Sequence, residues 1–446
     1  MGSGLQGGRL SVPIDAMHPD TGTFSLLVER HLATNSKERI GSLLVNPGGP
    51  GYGGTDLAES AEEVYGKDVL AHFDIVAWDP RGTGKSTPAV DCIDDYDPYF
   101  SIDSSPDDAT ERKAILDDAT KFGQACERRS GKILPFVSTA DSARDMDAIR
   151  SALQEPTISY FGFSYGSELG VAWASLFPKT VRAMVIDGSI DGTVGYLQQS
   201  LDQAAGFEST FNSFLADCAK RSSCAFHNGG DPGAAYDALN RSAETDPIAS
   251  VGGRPSINQG ILASAVADAM YSKDAWPDLE HALADLQHGD GAGVLGLYDD
   301  YYQRTANGTY DNSHEAYFAI NCLDDPGTKD PQAVFALRDD FAKVAPRLGT
   351  SWLLELEFCA EWPVPAAPPV PDDAKGAGPI VVVGTTGDPA TPLAGTRRQA
   401  QALQDGHLIV VTADQHTGYG VNDCVDSAVD RYLVDLTVPA NELQCK

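Results

Sequence analysis

At 446 residues the chain is about three times the ~150-residue length of a typical domain, so it holds one domain with a large insertion or two to three domains. Apolar residues make up 42% and charged residues 22%, enough for a substantial core, and no apolar run approaches the roughly 18 residues that cross a bilayer. With 64 acidic against 32 basic residues the net charge is −32, which repels phosphate backbones and anionic lipids and argues against nucleic-acid or membrane-surface partners.

Met1–Arg9 lacks the apolar stretch of a signal peptide and reads as an expression scar joined to a mature start. Leu10–Ile14 and Thr23–His31 carry β-type residues around a turn at His18–Gly22, which predicts an antiparallel hairpin. Ser42–Asn46 is the next strand, then a glycine-rich loop, the helix-compatible Thr55–Tyr65, and the apolar strand Phe73–Trp78. Asp141–Leu153 has helical spacing, with Ala143, Met146, Ile149 and Ala152 on one face. Thr157–Phe161 and Val181–Ile186 are short strands enclosing the helix-prone Ser167–Leu176. From Asp191 to about Trp362 the pattern turns mainly helical, as in Gln198–Lys220 and Gln259–Met270. After the proline-rich stretch Pro363–Pro371 the alternation resumes with Pro379–Gly384, the helix Pro392–Leu403 and the strand His407–Thr412. Strand alternating with helix predicts an α/β fold with a mostly parallel sheet and helices on both faces. The interruption predicts a large inserted helical cap, dividing the chain into residues 1–190 (core), 191–372 (cap) and 373–446 (core).

The strongest motif is Gly162-Phe163-Ser164-Tyr165-Gly166, a G-x-S-x-G between a strand and a helix. That context suits a nucleophile elbow, in which a sharp turn lifts Ser164 to the sheet's edge and the new helix points N–H groups at a developing oxyanion. A serine nucleophile needs a base and an orienting carboxylate, which in such folds follow in the order Ser, Asp/Glu, His from loops after later strands. Asp388 follows the strand Ile380–Gly384 and His416 follows His407–Thr412. Most of the other histidines lie upstream of Ser164 or within the helical block. The loop Asn46–Gly54 has two readings. Gly49, Gly51 and Gly54, with Asp79 after the next strand, imitate a dinucleotide fingerprint. Pro50, however, removes an amide from that cradle, and the favoured reading is a hydrolase loop that completes the oxyanion hole with Tyr165 through Gly51 or Tyr52. Gly84-Lys85-Ser86 ends like a P-loop but lacks the earlier glycine. The eight cysteines, with no C-x-x-C and no zinc-ligand spacing, fit disulfides and an oxidising compartment rather than a metal site. Order within the proposed domains pairs them as Cys92–Cys126, Cys218–Cys224, Cys322–Cys359 and Cys424–Cys445.

These residues, with Val12-Pro13-Ile14-Asp15, Asp79–Ser86, Ala319-Ile320-Asn321-Cys322, Asp388–Pro392 and Cys424-Val425-Asp426, make the chain resemble the secreted tripeptidyl aminopeptidases of actinobacterial type, a branch of the α/β-hydrolases related to proline iminopeptidases. The resemblance implies the triad Ser164, Asp388 and His416, a cap over the site, secretion, and a peptide or ester substrate. The expectation is a monomeric serine hydrolase without cofactor or metal, cleaving from a peptide's free N-terminus. An esterase on small acyl esters is the alternative, and a silent binding protein a minor one. An exopeptidase must satisfy an ammonium group in a partly desolvated pocket. A Cys322–Cys359 bridge would bring acids of both strands of chain together there, which nominates Asp324, Asp325 and Glu361 as substrate-binding residues.

Overall fold

Short runs of Val, Ile, Leu and Phe set the framework. The computed structural model describes residues 4–106, 108–249 and 252–446. Its strands are β1 (Leu5–Pro13), β2 (Thr23–His31), β3 (Gly41–Asn46), β4 (Phe73–Trp78), β5 (Ile158–Phe163), β6 (Val181–Asp187), β7 (Ile380–Thr385), β8 (Gly406–Val411) and β9 (Leu443–Cys445). They form one sheet in the order β1-β2-β4-β3-β5-β6-β7-β8-β9. β1 and β2 pair antiparallel and β2 runs antiparallel to β4, while the remaining neighbours are parallel. Parallel strands covered on both faces lose the in–out alternation. Accordingly every residue of β4 and β7 is buried.

Two features depart from the sequence reading at the sheet's edges. Leu5–Arg9, read as part of a scar, belongs to β1 and pairs residue by residue with Leu27–His31. At the other edge the three-residue β9, too short to show alternation, pairs with β8, where the Cys424–Cys445 disulfide anchors it to the helix Asp423–Asp435.

Between β6 and β7 the described chain is mainly helical, including Tyr196–Lys220, Gln259–Met270, Ala292–Tyr301, Ser313–Asp324 and Leu353–Ala360. Gln259–Met270 is the hub, burying Ile261, Leu262, Ala263, Val266 and Ala267 on nearly all sides, as a helix apolar all round must. A further helix, Ala109–Ser130, was not read from the sequence. It begins with a capping box in which Asp108 accepts from the Glu111 amide and Glu111 reaches back to Asp108. Its Phe122 ring meets Phe318, Phe358 and Trp362, so the cap layer also draws on chain from before residue 190. The Cys92–Cys126 bridge ties that helix down, and Cys218–Cys224 and Cys322–Cys359 lie within the insertion. Below the cap, Arg81 grips Asp145 through two hydrogen bonds of 2.8 and 2.7 Å and donates to the Ile14 and Phe136 carbonyls. That buried pair pins the β4 exit to the first hairpin and to the helix Thr139–Ala152. Asp79 accepts from the Gly54, Thr55 and Lys85 amides, which makes it the internal staple of the glycine-rich loop and not a ribose contact.

Candidate active site

Ser164 sits between β5 and the helix Tyr165–Leu176 at φ 53°, ψ −125°. A non-glycine residue held there stores about 1–3 kcal/mol of strain. The Ser164 amide, donating to the Asp187 carbonyl at 2.8 Å, helps hold it. The turn is too tight for side chains nearby. A Cβ on Gly162 would lie 2.3 Å from the Gly166 carbonyl oxygen, and one on Gly48 would lie 2.7 Å from the Ser164 Cβ. Both are therefore glycine, and the serine hydroxyl stands clear at the mouth of a helix N-terminus whose dipole favours negative charge.

The loops after β7 and β8 bring Asp388 and His416 to the same end of the sheet. His416 Nδ1 lies 2.8 and 3.0 Å from the two Asp388 carboxylate oxygens. Asp388 also accepts from the Ala390 and Thr391 amides at 3.0 and 2.8 Å and from that of Thr417 at 3.3 Å. A carboxylate accepts only, so Nδ1 carries the proton and the lone pair is left on Nε2. Nε2 is buried without a partner among the described residues. No hydrogen bond joins it to the Ser164 hydroxyl; in empty sites the contact between base and nucleophile is often long and tightens when substrate binds. Burial alone would lower the His416 pKa, but Asp388, with a smaller contribution from Asp187, outweighs it and the net shift is upward from 6.5.

Asp187 and Tyr271 escaped the sequence reading. Asp187, at the end of β6, is fully buried and accepts from the Gly418 and Tyr419 amides at 2.8 and 2.7 Å, which shapes the turn after His416. Burial pushes its carboxyl up to about 6. An acid closing the apolar run Val181–Ile186 was the available signal. Tyr271, just past the hub helix, receives the His416 amide on its carbonyl at 3.0 Å and sets its ring 5.6 Å from the imidazole. Two residues on, Lys273 lies 3.8 Å from Asp414. No motif marks either cap residue.

Ser164 and His416 open onto a cavity of about 400 Å³ between sheet and cap, within the range of small-molecule sites. The structure separates the expected oxyanion and substrate residues. Tyr52 lines the cavity, whereas Gly51 does not and is pressed against the cap, where a Cβ would lie 2.1 Å from the Ser313 carbonyl oxygen. Of the loop amides nearer the elbow, that of Gly48 is taken by the Asn46 side chain at 2.9 Å and Pro50 has none. Gly49 and Tyr52, which line the cavity, both have amides with no acceptor among the described residues. Asp324, Asp325 and Glu361 all lie outside the cavity lining. Asp324 accepts from the Thr139 amide and hydroxyl at 3.1 and 2.6 Å, and that hydroxyl contacts the Tyr165 hydroxyl at 2.6 Å, so Asp324 braces the elbow from behind. Asp325 accepts from the Tyr196 amide, and Glu361 from the Thr120 hydroxyl.

Other acids line the cavity: Glu168, Asp191, Asp202, Asp268, Asp300 and Glu355. Asp191 and Asp202 are both paired with Arg398. Burial pushes Glu168 up to about 8 and Asp268 up to about 7. Glu355 is held without a cationic partner among the described residues. Its Oε2 accepts from the Tyr196 and Tyr317 hydroxyls at 3.0 and 2.9 Å, and its Oε1 takes no hydrogen bond from the described residues.

An elbow serine, a carboxylate-held histidine and a helical roof on a mostly parallel sheet define a capped serine hydrolase. Residues 41–228 match the model of the alpha/beta hydrolase fold and residues 345–445 that of the TAP-like proteins. The chain belongs to the α/β-hydrolases, in their TAP-like branch. Serine protease Hip1 of Mycobacterium tuberculosis (strain ATCC 25618 / H37Rv) is 36% identical over 455 aligned positions, covering 98% of this chain and 86% of that protein. Carboxylesterase B of the same strain is 40% identical over 454 positions, covering 98% and 85%. Tripeptidyl aminopeptidase of Streptomyces coelicolor (strain ATCC BAA-471 / A3(2) / M145) is 30% identical over 462 positions, covering 99% and 83%.

Proposed function

We propose that this serine hydrolase removes short segments from the free N-terminus of peptides outside the cytoplasm. Ser164 attacks the scissile carbonyl, and His416 Nε2 takes its proton and returns it to the leaving amine. Asp388 holds the imidazole in its tautomer, and the amides of Tyr165 and of Gly49 or Tyr52 bind the oxyanion. An acyl-enzyme forms and water releases it by the reverse sequence. The three parts of the chain divide as core (1–190), cap (191–372) and core (373–446), with the helix Ala109–Ser130 serving the cap side. Four disulfides support an oxidising location, and no described helix is long and apolar enough to cross a membrane.

The observation that carries the exopeptidase reading is Glu355, a cavity-lining carboxylate held by two tyrosines through one oxygen, with the other taking no hydrogen bond from the described residues. Burial raises its pKa above the ordinary range, against the two tyrosine hydrogen bonds. An incoming ammonium would return it to the charged form and satisfy both partners. Glu355→Gln keeps an acceptor for the tyrosine hydroxyls and removes only the charge. It is expected to raise KM for a free-amine peptide anilide on the order of 100-fold, with far smaller effects on the N-blocked twin and on a short p-nitrophenyl ester. Equal effects on all three would overturn this role. The 40% identity to a carboxylesterase favours a second reading, hydrolysis of small acyl esters. Wild-type enzyme that prefers the ester over both anilides would establish it.

The histidine must be neutral to act as base, so kcat/KM falls as pH drops through its pKa. With that pKa raised from 6.5, the midpoint of the acid limb is expected above pH 6.5. A pH profile that stays flat down to pH 5 would remove His416 from this role.

A further inference from the structure

A second cavity, of about 50 Å³, adjoins the main one. That is several times the space one ordered water requires. Tyr301, His314, Tyr317, Trp352 and Glu355 line both cavities, so these side chains form the wall the two share, and a passage between the cavities would be a doorway among them. Behind that wall, Gly260, Ala263, Ser264 and Ala267 lie on the hub helix at the i, i+3, i+4, i+7 spacing of a single face. Small side chains at Ala263, Ser264 and Ala267 leave a hollow that larger ones would fill, while Gly260 is held against the Ile102 carbonyl, where a Cβ would lie 2.2 Å away. Opposite them, Phe100 and Phe318 stack with ring centroids 5.7 Å apart, and Leu354 completes the apolar wall. Burial holds His314, in the shared wall, down to about 3, so it stays neutral there.

We propose that this side chamber is the specificity pocket for the side chain of the substrate's first residue, and that it selects a small to medium aliphatic group. The inference rests on the reading of Glu355 as the amine site. In an amino acid the ammonium and the side chain share one carbon, so an ammonium on the Glu355 carboxylate places its side chain beside the doorway. The chamber's walls are mainly apolar, and a side chain of three or four carbons removes more apolar surface from water there than alanine does. Glycine gains nothing from it. Tryptophan exceeds its volume.

The test uses free-amine peptide anilides of one length that differ only at the first residue: Gly, Ala, Val, Leu or Trp. For the wild type, kcat/KM is expected to be at least about tenfold higher for Leu or Val than for Gly, with Trp falling below both. Ala267→Leu fills the chamber from its floor and should bring the Leu/Gly ratio close to one. Ala263→Val, a smaller intrusion, should reduce it by a lesser factor and serves if Ala267→Leu does not fold. A general packing defect would instead lower all substrates alike, leave the ratio intact, and overturn the proposal. So would a flat first-residue preference in wild-type enzyme that cleaves free-amine peptides, with the amine site itself left standing. Wild-type enzyme that cleaves no free-amine peptide, yet hydrolyses the ester, overturns both readings together.

Discussion

Ser164→Ala is expected to lower kcat by about 10⁶-fold, with a residual rate above water supplied by the oxyanion amides and by binding. The fold gives this variant an unusually clean interpretation. The Ser164 hydroxyl makes no hydrogen bond to the described residues, while the backbone contacts that hold the elbow belong to its amide and carbonyl. Alanine keeps those contacts, tolerates the same dihedrals about as well, and fits against Gly48 as serine does. The thermal midpoint should therefore stay near that of the wild type while turnover collapses. A fluorophosphonate probe should label the wild type once and the variant not at all. Labelling at a different residue of the native protein would remove Ser164 as nucleophile.

Asp388→Asn should cost about 10⁴-fold in kcat. Asp388 Oδ1 accepts from the Ala390 and Thr391 amides as well as from His416. Asparagine has one acceptor oxygen, and the two fixed amides claim it. Its NH₂ then faces His416 Nδ1, which must turn acceptor, so the proton moves to Nε2 and the base is lost to the wrong tautomer. The charge that raises the imidazole pKa disappears in the same step. Residual activity should therefore show its acid limb at lower pH than the wild type. A loss below tenfold, or an unmoved limb, would show that Asp388 does not orient this histidine.

The parts legible in sequence are those where physics narrows the residue choice. A turn that brings Gly162 within 2.3 Å of the Gly166 carbonyl for any added Cβ admits little else, so the elbow announces itself. Strands buried on both faces, such as Phe73–Trp78 and Ile380–Thr385, read as unbroken apolar runs, and Asp388 and His416 follow such runs directly. The cavity acids had no such mark. Asp324 was nominated through the Cys322–Cys359 bridge, which the structure contains. On the helix Ser313–Asp324, however, Tyr317 and Asn321 face the cavity, and one turn later Asp324 already meets Thr139 behind the elbow. Glu355 lies four residues before Cys359 and so one turn away on the neighbouring helix, which a disulfide constraint alone cannot resolve. Gly51 lies outside the cavity lining for a related reason. Which amide of a glycine-rich loop faces the nucleophile depends on the cap helix packed against it, a contact between distant parts of the chain.

The hydrogen bond from the His416 amide to the Tyr271 carbonyl, with Lys273 close to Asp414, fastens the roof to the loop that carries the proposed base. A roof that swung open as a rigid flap would pull away the acceptor that positions this loop. The seated roof thus shares with Asp388 the task of keeping the imidazole in register. While the roof stays seated, substrate would have to pass through gaps between its helices. On the proposed reading such gaps would admit a loose chain end and turn away a folded protein, so the fastening would act as a steric filter on what is cut.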